Sequence, residues 1–261
     1  MKLERILAAT DLSTQGDDSV RRAALIAARA GATLRLVHAL PREAMLREFL
    51  GTDEAWVQGF RAGTTARLQS LADELAPRLR TPPQWTVASG RAHRVIMDAA
   101  ADVAPDLLVV GAQGEGRSAP LFLGGTAAKL LLHSVVPILV VRAAPATPYR
   151  SVLVATDLGP RAPTVLGAAH AVAQGASITL LNAFHAPHET RLRWHGVAEA
   201  SIEARRERDR DAAQARLRDL AAGLDPVPAI QAVHGHPNTV ILEAANAHDM
   251  VAVGRHSGTA W

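Results

Sequence analysis

The chain contains the same series of short motifs twice, in the same order, and this internal repeat limits the possible folds more than any other feature. Ile6-Leu-Ala-Ala-Thr-Asp-Leu12 corresponds to Val152-Leu-Val-Ala-Thr-Asp-Leu158. Three more pairs follow in register: Gly31–Ala39 with Gly175–Ala183, Gly90-Arg-Ala92 with Gly235-His-Pro237, and Asp106–Gly116 with Asp249–Thr259. Two ordered copies indicate two examples of one folding unit rather than one large fold.

The length of 261 residues agrees with two domains, each large enough to bury its own core. A segment rich in proline and small residues, Ala143–Pro148, separates the copies and is typical of a linker. We therefore place the domains at residues 1–142 and 149–261. Only Ala260 and Trp261 follow the last motif, so we expect the second domain to lack its last helix and strand.

Composition indicates a soluble protein, with 48% hydrophobic residues, 20% charged residues and no cysteine. The N-terminal sequence lacks the layout of a signal peptide, and we expect a cytoplasmic location. The longest apolar stretch, near Val135–Val141, is far shorter than the roughly 20 residues of a membrane span. The arginine-dense stretch Glu203–Asp211 carries equal numbers of acids and bases, which predicts a solvated helix face and no nucleic-acid partner.

Short apolar runs alternate with longer helical patterns, which favours parallel strands joined by crossover helices. For the first copy we predict strands near Arg5–Thr10, Thr33–His38, Trp85–Ala88, Leu107–Val110 and Ile138–Val141. The predicted helices lie near Asp17–Ala30, Glu54–Ala76, Arg94–Val103 and Gly125–Leu132.

Two of these strands are apolar at every position, Leu107–Val110 and Ile138–Val141, and we predict that both lie inside the sheet. Four large apolar residues surround the second crossover at helical spacings: Met45, Phe49, Trp56 and Phe60. Packing onto the sheet is the simpler interpretation of these four residues, and a lid over a ligand is the alternative.

The chemistry of the first copy is concentrated after its fourth strand. Gly111-Ala-Gln-Gly114 is followed by nine residues, Glu115–Leu123, and then by Gly124-Gly125-Thr126 at the start of a helix. Glycines let the backbone approach a ligand closely, and the free N–H groups of a helix start favour an anion. The arrangement predicts a phosphate cradle. The alternative is structural, with Gly111 and Gly114 in a tight turn and Gly124 allowing close helix packing.

Taken together, the repeated Ala-Thr-Asp-Leu, Leu-Val-His-Ala, Gly-x-Ala/Pro and Gly-x-x-Gly-x9-Gly motifs resemble the tandem members of the universal stress protein family. The resemblance implies two doubly wound, Rossmann-like domains with parallel strands in the order 3-2-1-4-5. It also implies ATP, with magnesium as a possible companion, at the carboxyl ends of strands one and four. This edge is a switch point in strand order, where ligands bind open α/β sheets.

The resemblance implies a set of ligand-binding residues in the first copy, with backbone near strands one and two at the base, Asp11 at the ribose, and the glycine motif at the ribose and phosphates. The full set is Ala9, Asp11, Ala39, Val110, Gly111, Gln113, Gly114, Gly124, Gly125 and Thr126. Two positions depart from the family pattern. Gly125 stands where the family usually has Ser or Thr, and Gln113 stands where His or Arg is common.

Asp11 has an alternative role, because Thr10-Asp-Leu-Ser13 precedes a helix and either Asp11 or Ser13 would suit a local turn or cap. The second copy keeps Asp157 and Gly254 but has Ser257 in place of the second glycine. We therefore do not expect it to bind ATP in the manner of the family.

The resemblance also concerns assembly, because fifth strands of the family pair across dimers or between tandem domains. With no complete pairing inside this chain, Ile138–Val141 is expected to meet its twin in a homodimer. The strand around Met250–Val253 becomes a sheet edge, which we expect Trp261 or an unknown partner chain to cover.

The function that these features predict is a stress-response sensor or regulatory module that binds an adenine nucleotide and is not an enzyme, although slow ATP hydrolysis is left open. No Gly-x-Ser-x-Gly elbow or Walker lysine is present. The main alternative is a nucleotide-free module for dimerisation and partner docking. A Rossmann dehydrogenase fits poorly, because the glycines follow the fourth strand rather than the first.

Histidines form the remaining candidate group: His185, His188, His195, His234 and His236. Their spacing matches no zinc motif and no cysteine is available, so surface or loop positions are the simpler interpretation. A metal site is the alternative.

Overall fold

A computed structural model divides the chain into two compact units. The first unit spans Lys2–Pro148, and the second spans Tyr149–Trp261 together with Met1. The structure describes residues 1–50, 54–114, 123–142, 147–185 and 189–255. Most of the predicted linker, 143–146, lies outside the described residues.

The first unit is built on a sheet of five parallel strands in the order β3-β2-β1-β4-β5. The strands are β1 (Arg5–Ala9), β2 (Thr33–Leu40), β3 (Gln84–Ser89), β4 (Leu107–Gly111) and β5 (Ile138–Val141). This order confirms the doubly wound sheet that the family resemblance implies. The order reverses between β1 and β4, which places a crevice at their carboxyl ends.

Helices cover the sheet and connect its strands. They are α1 (Thr14–Ala30), α2 (Glu43–Leu50), α3 (Glu54–Leu75), α4 (Ala92–Val103) and α5 (Gly125–His133), with one 3-10 turn at Ala76–Arg78. The α4 and α5 face buries one apolar core, whose central members are Leu7, Val37, Val95, Ile96, Leu108, Val110 and Leu130. Helices α1 and α3 also contact strands of this sheet.

Helix α1 begins three residues earlier than the predicted start at Asp17. The Ser13 hydroxyl accepts a hydrogen bond from the Gly16 N–H at 3.1 Å and caps the helix. At the other end, Gly31 adopts a left-handed φ of +67° and its N–H bonds to the Ala27 carbonyl. The first cap confirms the role predicted for Ser13, and the second is a position that favours glycine.

Two packing predictions need correction. Strand β4 is internal as predicted, but β5 is the edge strand, because no strand among the described residues of this unit follows it in the sheet. Its apolar sequence reflects contact of Ile138 and Val140 with the core rather than a central position.

The prediction that an apolar stripe of the second crossover packs on the sheet was wrong for three residues. Met45, Trp56 and Phe60 are exposed, with 65% of Trp56 accessible. The α3 side chains that are buried are Val57, Leu68, Leu71, Ala72 and Leu75. The side chain of Phe49 lies outside the described part of the structure.

The second unit repeats the architecture with a four-stranded parallel sheet in the order β8-β7-β6-β9. Its strands are β6 (Ser151–Ala155), β7 (Ser177–Phe184), β8 (Ala229–His234) and β9 (Met250–Val253). Its helices are α6 (Ala162–Val172), α7 (Glu189–Trp194), α8 (Glu199–Ala221) and α9 (Pro237–Ala245). Within 149–255 no fifth strand joins the sheet, so β9 is an edge, as predicted.

An aspartate at the start of the last shared motif has the same structural role in both units. The Asp106 carboxylate accepts hydrogen bonds from the N–H groups of Glu4 at 2.7 Å and Arg5 at 2.9 Å. Asp249 accepts the corresponding bonds from Arg150 at 2.8 Å and Ser151, and these N–H donors lower the pKa of its carboxyl group. This repeated aspartate therefore fastens the first strand of each sheet to its neighbour.

The arginine-dense stretch lies on α8, and two of its arginines, Arg205 and Arg206, form ion pairs. Arg206 binds Glu189 through two nitrogens and Glu203 through a third. The guanidinium and the His234 imidazole beside it lower the pKa of Glu189 to about 2. No helix in the described parts of either unit is both long enough and apolar enough to span a membrane.

Candidate functional site

The first unit has a cavity of about 250 Å³ at the carboxyl ends of β1 and β4. All ten residues that the family resemblance implies as ligand-binding line this one cavity: Ala9, Asp11, Ala39, Val110, Gly111, Gln113, Gly114, Gly124, Gly125 and Thr126. Seven further residues line it without having been predicted: Thr10, Gly16, Val37, Ala92, Ile96, Ala112 and Ala127. Their contact with a ligand stays a prediction, whereas their common position is a property of the fold.

The inner wall of the cavity is apolar and built from small residues. Ala9, Val37 and Val110 come from three adjacent strands and belong to the buried core of the α4–α5 side. Helix α4 adds Ile96 to the same wall. A flat aromatic ring fits such a surface, because small side chains leave room without exposing polar groups that need partners.

Glycines of the motif are required by space rather than by unusual backbone angles. A Cβ on Gly114 would lie 2.5 Å from Oδ2 of Asp11, which no real side chain tolerates without a shift. A Cβ on Gly124 would lie 3.2 Å from the Ala112 carbonyl oxygen. Neither residue has a positive φ. Close approach between the two glycine turns and the β1 loop therefore explains their presence, and Gly124 also fits the packing alternative.

The start of α5 presents backbone donors to the cavity. Gly124 is the N-cap and has no capping side chain, and its carbonyl accepts the N–H of Ala128 at 2.9 Å. By helix geometry, the N–H groups between these two residues precede the first intrahelical bond. Thr126 lines the cavity, and a Cβ on Gly125 would meet no atom within 4 Å. The site can thus bind an anion through main-chain N–H groups.

Asp11 adopts the local turn that its sequence context allows. Its Oδ1 accepts hydrogen bonds from the Ser13 N–H at 3.1 Å and the Ser13 hydroxyl at 2.5 Å. Its Oδ2 lies directly beside Gly114, and both residues line the cavity. The two predicted roles of Asp11 are therefore compatible in space, since one oxygen serves the turn while the other borders the cavity.

The turn at Asp11 depends on Thr10, Leu12 and His38, none of which the sequence analysis selected as a site residue. Leu12 has a left-handed φ of +64°, and its N–H bonds to the Thr10 hydroxyl at 2.8 Å. The buried His38 ring donates from Nδ1 to the Thr10 carbonyl at 2.9 Å. Burial lowers the pKa of His38, which favours the neutral ring. A histidine inside the apolar run Leu36–Leu40 was the available signal.

A buried carboxylate on α1 also supports this turn. Asp17 of α1 is only 5% exposed, and it accepts hydrogen bonds from the Thr10 hydroxyl at 3.2 Å and Arg67 Nη2 at 2.9 Å. Arg67 comes from α3 and also approaches the Leu12 carbonyl. Only the tertiary fold brings these residues together, so no local sequence pattern could have identified them.

The second unit contains the same turn. Leu158 has a φ of +60°, and its N–H bonds to the Thr156 hydroxyl at 2.9 Å. The side chain of Asn182 donates to the Thr156 carbonyl at 2.8 Å, at the position that His38 occupies in the first unit. Asp157 accepts the Gly159 N–H at 2.8 Å. The repeated Thr-Asp-Leu motif thus has a structural reason that does not involve a ligand.

The histidines of the second unit form contacts with protein groups. His234 Nε2 lies 2.9 Å from Oε1 of Glu189, and the rings of His185 and His236 lie 6.3 Å apart between centroids. His188 lies outside the described residues. Within the described parts of the chain, no group of three or more potential ligands is arranged to hold a metal.

The fold is that of a doubly wound α/β protein, and its cavity lies at the switch point of the sheet, where ligands bind open α/β sheets. The sequence profile of the universal stress protein family matches residues 2–142 and 148–260. The chain therefore belongs to the universal stress protein family and contains two copies of its domain.

Individual relatives agree with this membership. A universal stress protein of Thermus aquaticus is 31% identical over 138 residues, which cover 50% of this chain and 96% of that protein. A crystal structure described as a universal stress protein of Pseudomonas aeruginosa UCBPP-PA14 has a TM-score of 0.67 at 18% identity and covers 99% of this chain and 84% of its own. One from Archaeoglobus fulgidus DSM 4304 has a TM-score of 0.65 at 14% identity and covers 95% and 84%. The two structures share the tandem fold.

His38→Ala should destabilise the first unit by about 1–2 kcal/mol, because the buried Thr10 carbonyl loses its donor. His38→Asn should recover most of that loss, because Asn182 forms the same bond in the second unit. Urea unfolding followed by circular dichroism measures both. Equal stability of the Ala and Asn variants would contradict a hydrogen-bonding role for His38.

Proposed function

We propose that the first unit binds an adenine nucleotide, with ATP and magnesium as the expected form, and that binding makes the protein a sensor or regulatory module in a stress response. The observation that carries this proposal is the assembly of all ten implied residues around one cavity at the switch point. Family membership supports the stress-response role. The cytoplasmic location predicted from the sequence stays a prediction.

The cavity residues fit the parts of such a ligand. The apolar wall at Ala9, Val37 and Val110 suits the base, and Oδ2 of Asp11 is an acceptor for a ribose hydroxyl. The N–H groups at the start of α5 suit a phosphate. Gln113 adds an amide that donates hydrogen bonds without adding charge.

Binding rather than catalysis is the role that these side chains support. Among the described lining residues the ionisable group is Asp11, and its Oδ1 is already bonded by Ser13. Rapid hydrolysis needs a general base at the reacting phosphate; the described lining contributes no histidine, and its one carboxylate, Asp11, is assigned to the ribose. We therefore propose a regulatory binder, in which any hydrolysis of ATP is slow.

A nucleotide-free docking module is the second candidate, and one observation favours it. The Thr-Asp-Leu turn is satisfied by local hydrogen bonds in both units, so its repetition does not require a ligand in either. In this alternative both units serve dimerisation and partner docking. Direct titration separates the two candidates, because only the first predicts heat on addition of a nucleotide.

Gly114→Ala should weaken nucleotide binding by about tenfold, because its methyl group would displace the Asp11 carboxylate, the proposed acceptor for the ribose, from the cavity edge. Gly63→Ala is the matched control, since its Cβ would meet no atom within 4 Å and it lies on α3 away from the cavity lining. Calorimetric titration with MgATP measures both, with circular dichroism to check folding. Undiminished binding by folded Gly114→Ala, or no binding by the wild type, would contradict the proposed site.

Gly125→Ser should raise the affinity for MgATP by roughly 2–10-fold, because the added hydroxyl enters open space at the start of α5 and supplies one further hydrogen bond. It also restores the residue type that is usual in the family at this position. Gly125→Ala adds the carbon without the hydroxyl and should show no gain. Equal affinities of the serine and alanine variants for MgATP would contradict a hydrogen bond between this hydroxyl and the ligand.

We propose that the protein forms a homodimer through the edge strand β5, which offers unpaired backbone groups beside an exposed apolar surface. Leu132 and Val135 belong to that surface, and Val135 is 95% exposed. The edge strand β9, with the exposed Val251 and Val253, is a second surface for an unknown partner. The predicted cover for β9, Trp261, lies outside the described residues.

Sedimentation velocity at micromolar concentration should give twice the mass of the 27.6 kDa chain. Val135→Glu should shift the population towards monomer, because it places a charge beside β5. Val227→Glu is the matched control, as it makes the same change at an exposed valine of the second unit. A monomeric wild type would contradict the proposed dimer.

A further inference from the structure

Five basic side chains form a cluster on the two helices that border the cavity. They are Arg91, His93, Arg94, Lys129 and His133. Arg91 is the N-cap residue of α4, and Lys129 and His133 lie one turn apart on α5. Helices α4 and α5 contact each other, which brings the two sets of basic side chains together. We call this cluster the basic rim.

The charges of the basic rim are not balanced by partners in the protein. None of its five side chains forms an ion pair or side-chain hydrogen bond with any residue that the structure describes. The carboxylates of α4, Asp98 and Asp102, lie further along the helix and make no ion pair with the rim. Burial and the four neighbouring basic groups lower the pKa of His93. Arg206 of α8 differs, because it is bound by two glutamates.

The basic rim lies next to the cavity in the chain and in space. Arg91 and His93 flank Ala92, which lines the cavity. Lys129 follows Thr126, another lining residue, by one turn of α5. The described lining itself carries one ionisable side chain, the carboxylate of Asp11. Positive charge therefore stands at the border of the cavity rather than within its described lining.

We propose that the basic rim is the selectivity element of this site and makes it prefer phosphorylated nucleotides to the uncharged nucleoside. The inference rests on the proposed nucleotide function of the same cavity. Unpaired cations at the mouth of a cleft raise the local concentration of an anion and hold it there, and this attraction weakens with salt. The affinity then increases with the number of phosphates.

Single-stranded nucleic acid fits this surface less well than a small anion. Proteins that bind such strands place aromatic side chains among their cations so that bases can stack. Helices α4 and α5 contain no Phe, Tyr or Trp. A mononucleotide places its base in the cavity, so it needs only electrostatic attraction between its phosphates and the basic rim.

The test compares two double variants that remove the same amount of positive charge. Arg91→Gln with Lys129→Gln removes charge from the basic rim. Arg5→Gln with Arg80→Gln removes it from the opposite edge, where β1 begins and where Arg80 lies beside Gly31 at the end of α1. Each full-length protein is titrated with adenosine, AMP and MgATP by calorimetry at low and high salt.

We expect the wild type to bind MgATP more tightly than AMP, and AMP more tightly than adenosine. The rim variant should lose about tenfold in MgATP affinity at low salt and nothing in adenosine affinity, while the control variant keeps both. Wild-type affinity for MgATP in the rim variant would overturn the inference and leave the cavity function intact. Equal affinity of the wild type for adenosine and MgATP would do the same. Absence of binding by all three ligands would overturn the proposed function itself.

Discussion

The turn that follows the first strand of each unit is the constraint on which the rest of the structure depends. The carbonyl of Thr10 or Thr156 accepts a side-chain hydrogen bond, and the leucine two residues later takes left-handed angles whose free-energy cost the surrounding bonds offset. The next strand in the chain, β2 or β7, supplies the donor of this bond through His38 or Asn182. In the first unit this turn holds Asp11 against Gly114, and the cavity has its shape because the two loops meet there.

Much of the fold follows from local sequence, and the reasons for the exceptions are physical. Apolar runs alternating with helical patterns predict parallel strands, and the spacing of Gly111, Gly114 and Gly124 predicts the cavity edge. The sequence could not show that Trp56 and Phe60 face outwards, because helical spacing defines a stripe but not the direction in which it points. It also could not identify Arg67, since a contact across 50 residues leaves no local pattern.

The two units use charge differently although they share a fold. On α8 of the second unit, acids and bases occur in equal number, and Arg205 and Arg206 form ion pairs with neighbouring acids. On α4 and α5 of the first unit, the bases have no such partners among the described residues. Composition alone does not show this contrast, because the net charge of +3 is a sum over the whole chain. Only the contact between two helices that are about 30 residues apart in the chain reveals the cluster.

His38 and Asn182 occupy equivalent positions in the two units and form the same hydrogen bond with different functional groups. An imidazole and an amide place a nitrogen donor at nearly the same distance from the carbonyl, 2.9 Å and 2.8 Å. The duplicated domain has therefore preserved a donor position while it changed the functional group. A designer who wishes to transplant this loop into another doubly wound sheet can choose between the two groups by size and acidity, since the backbone accepts both.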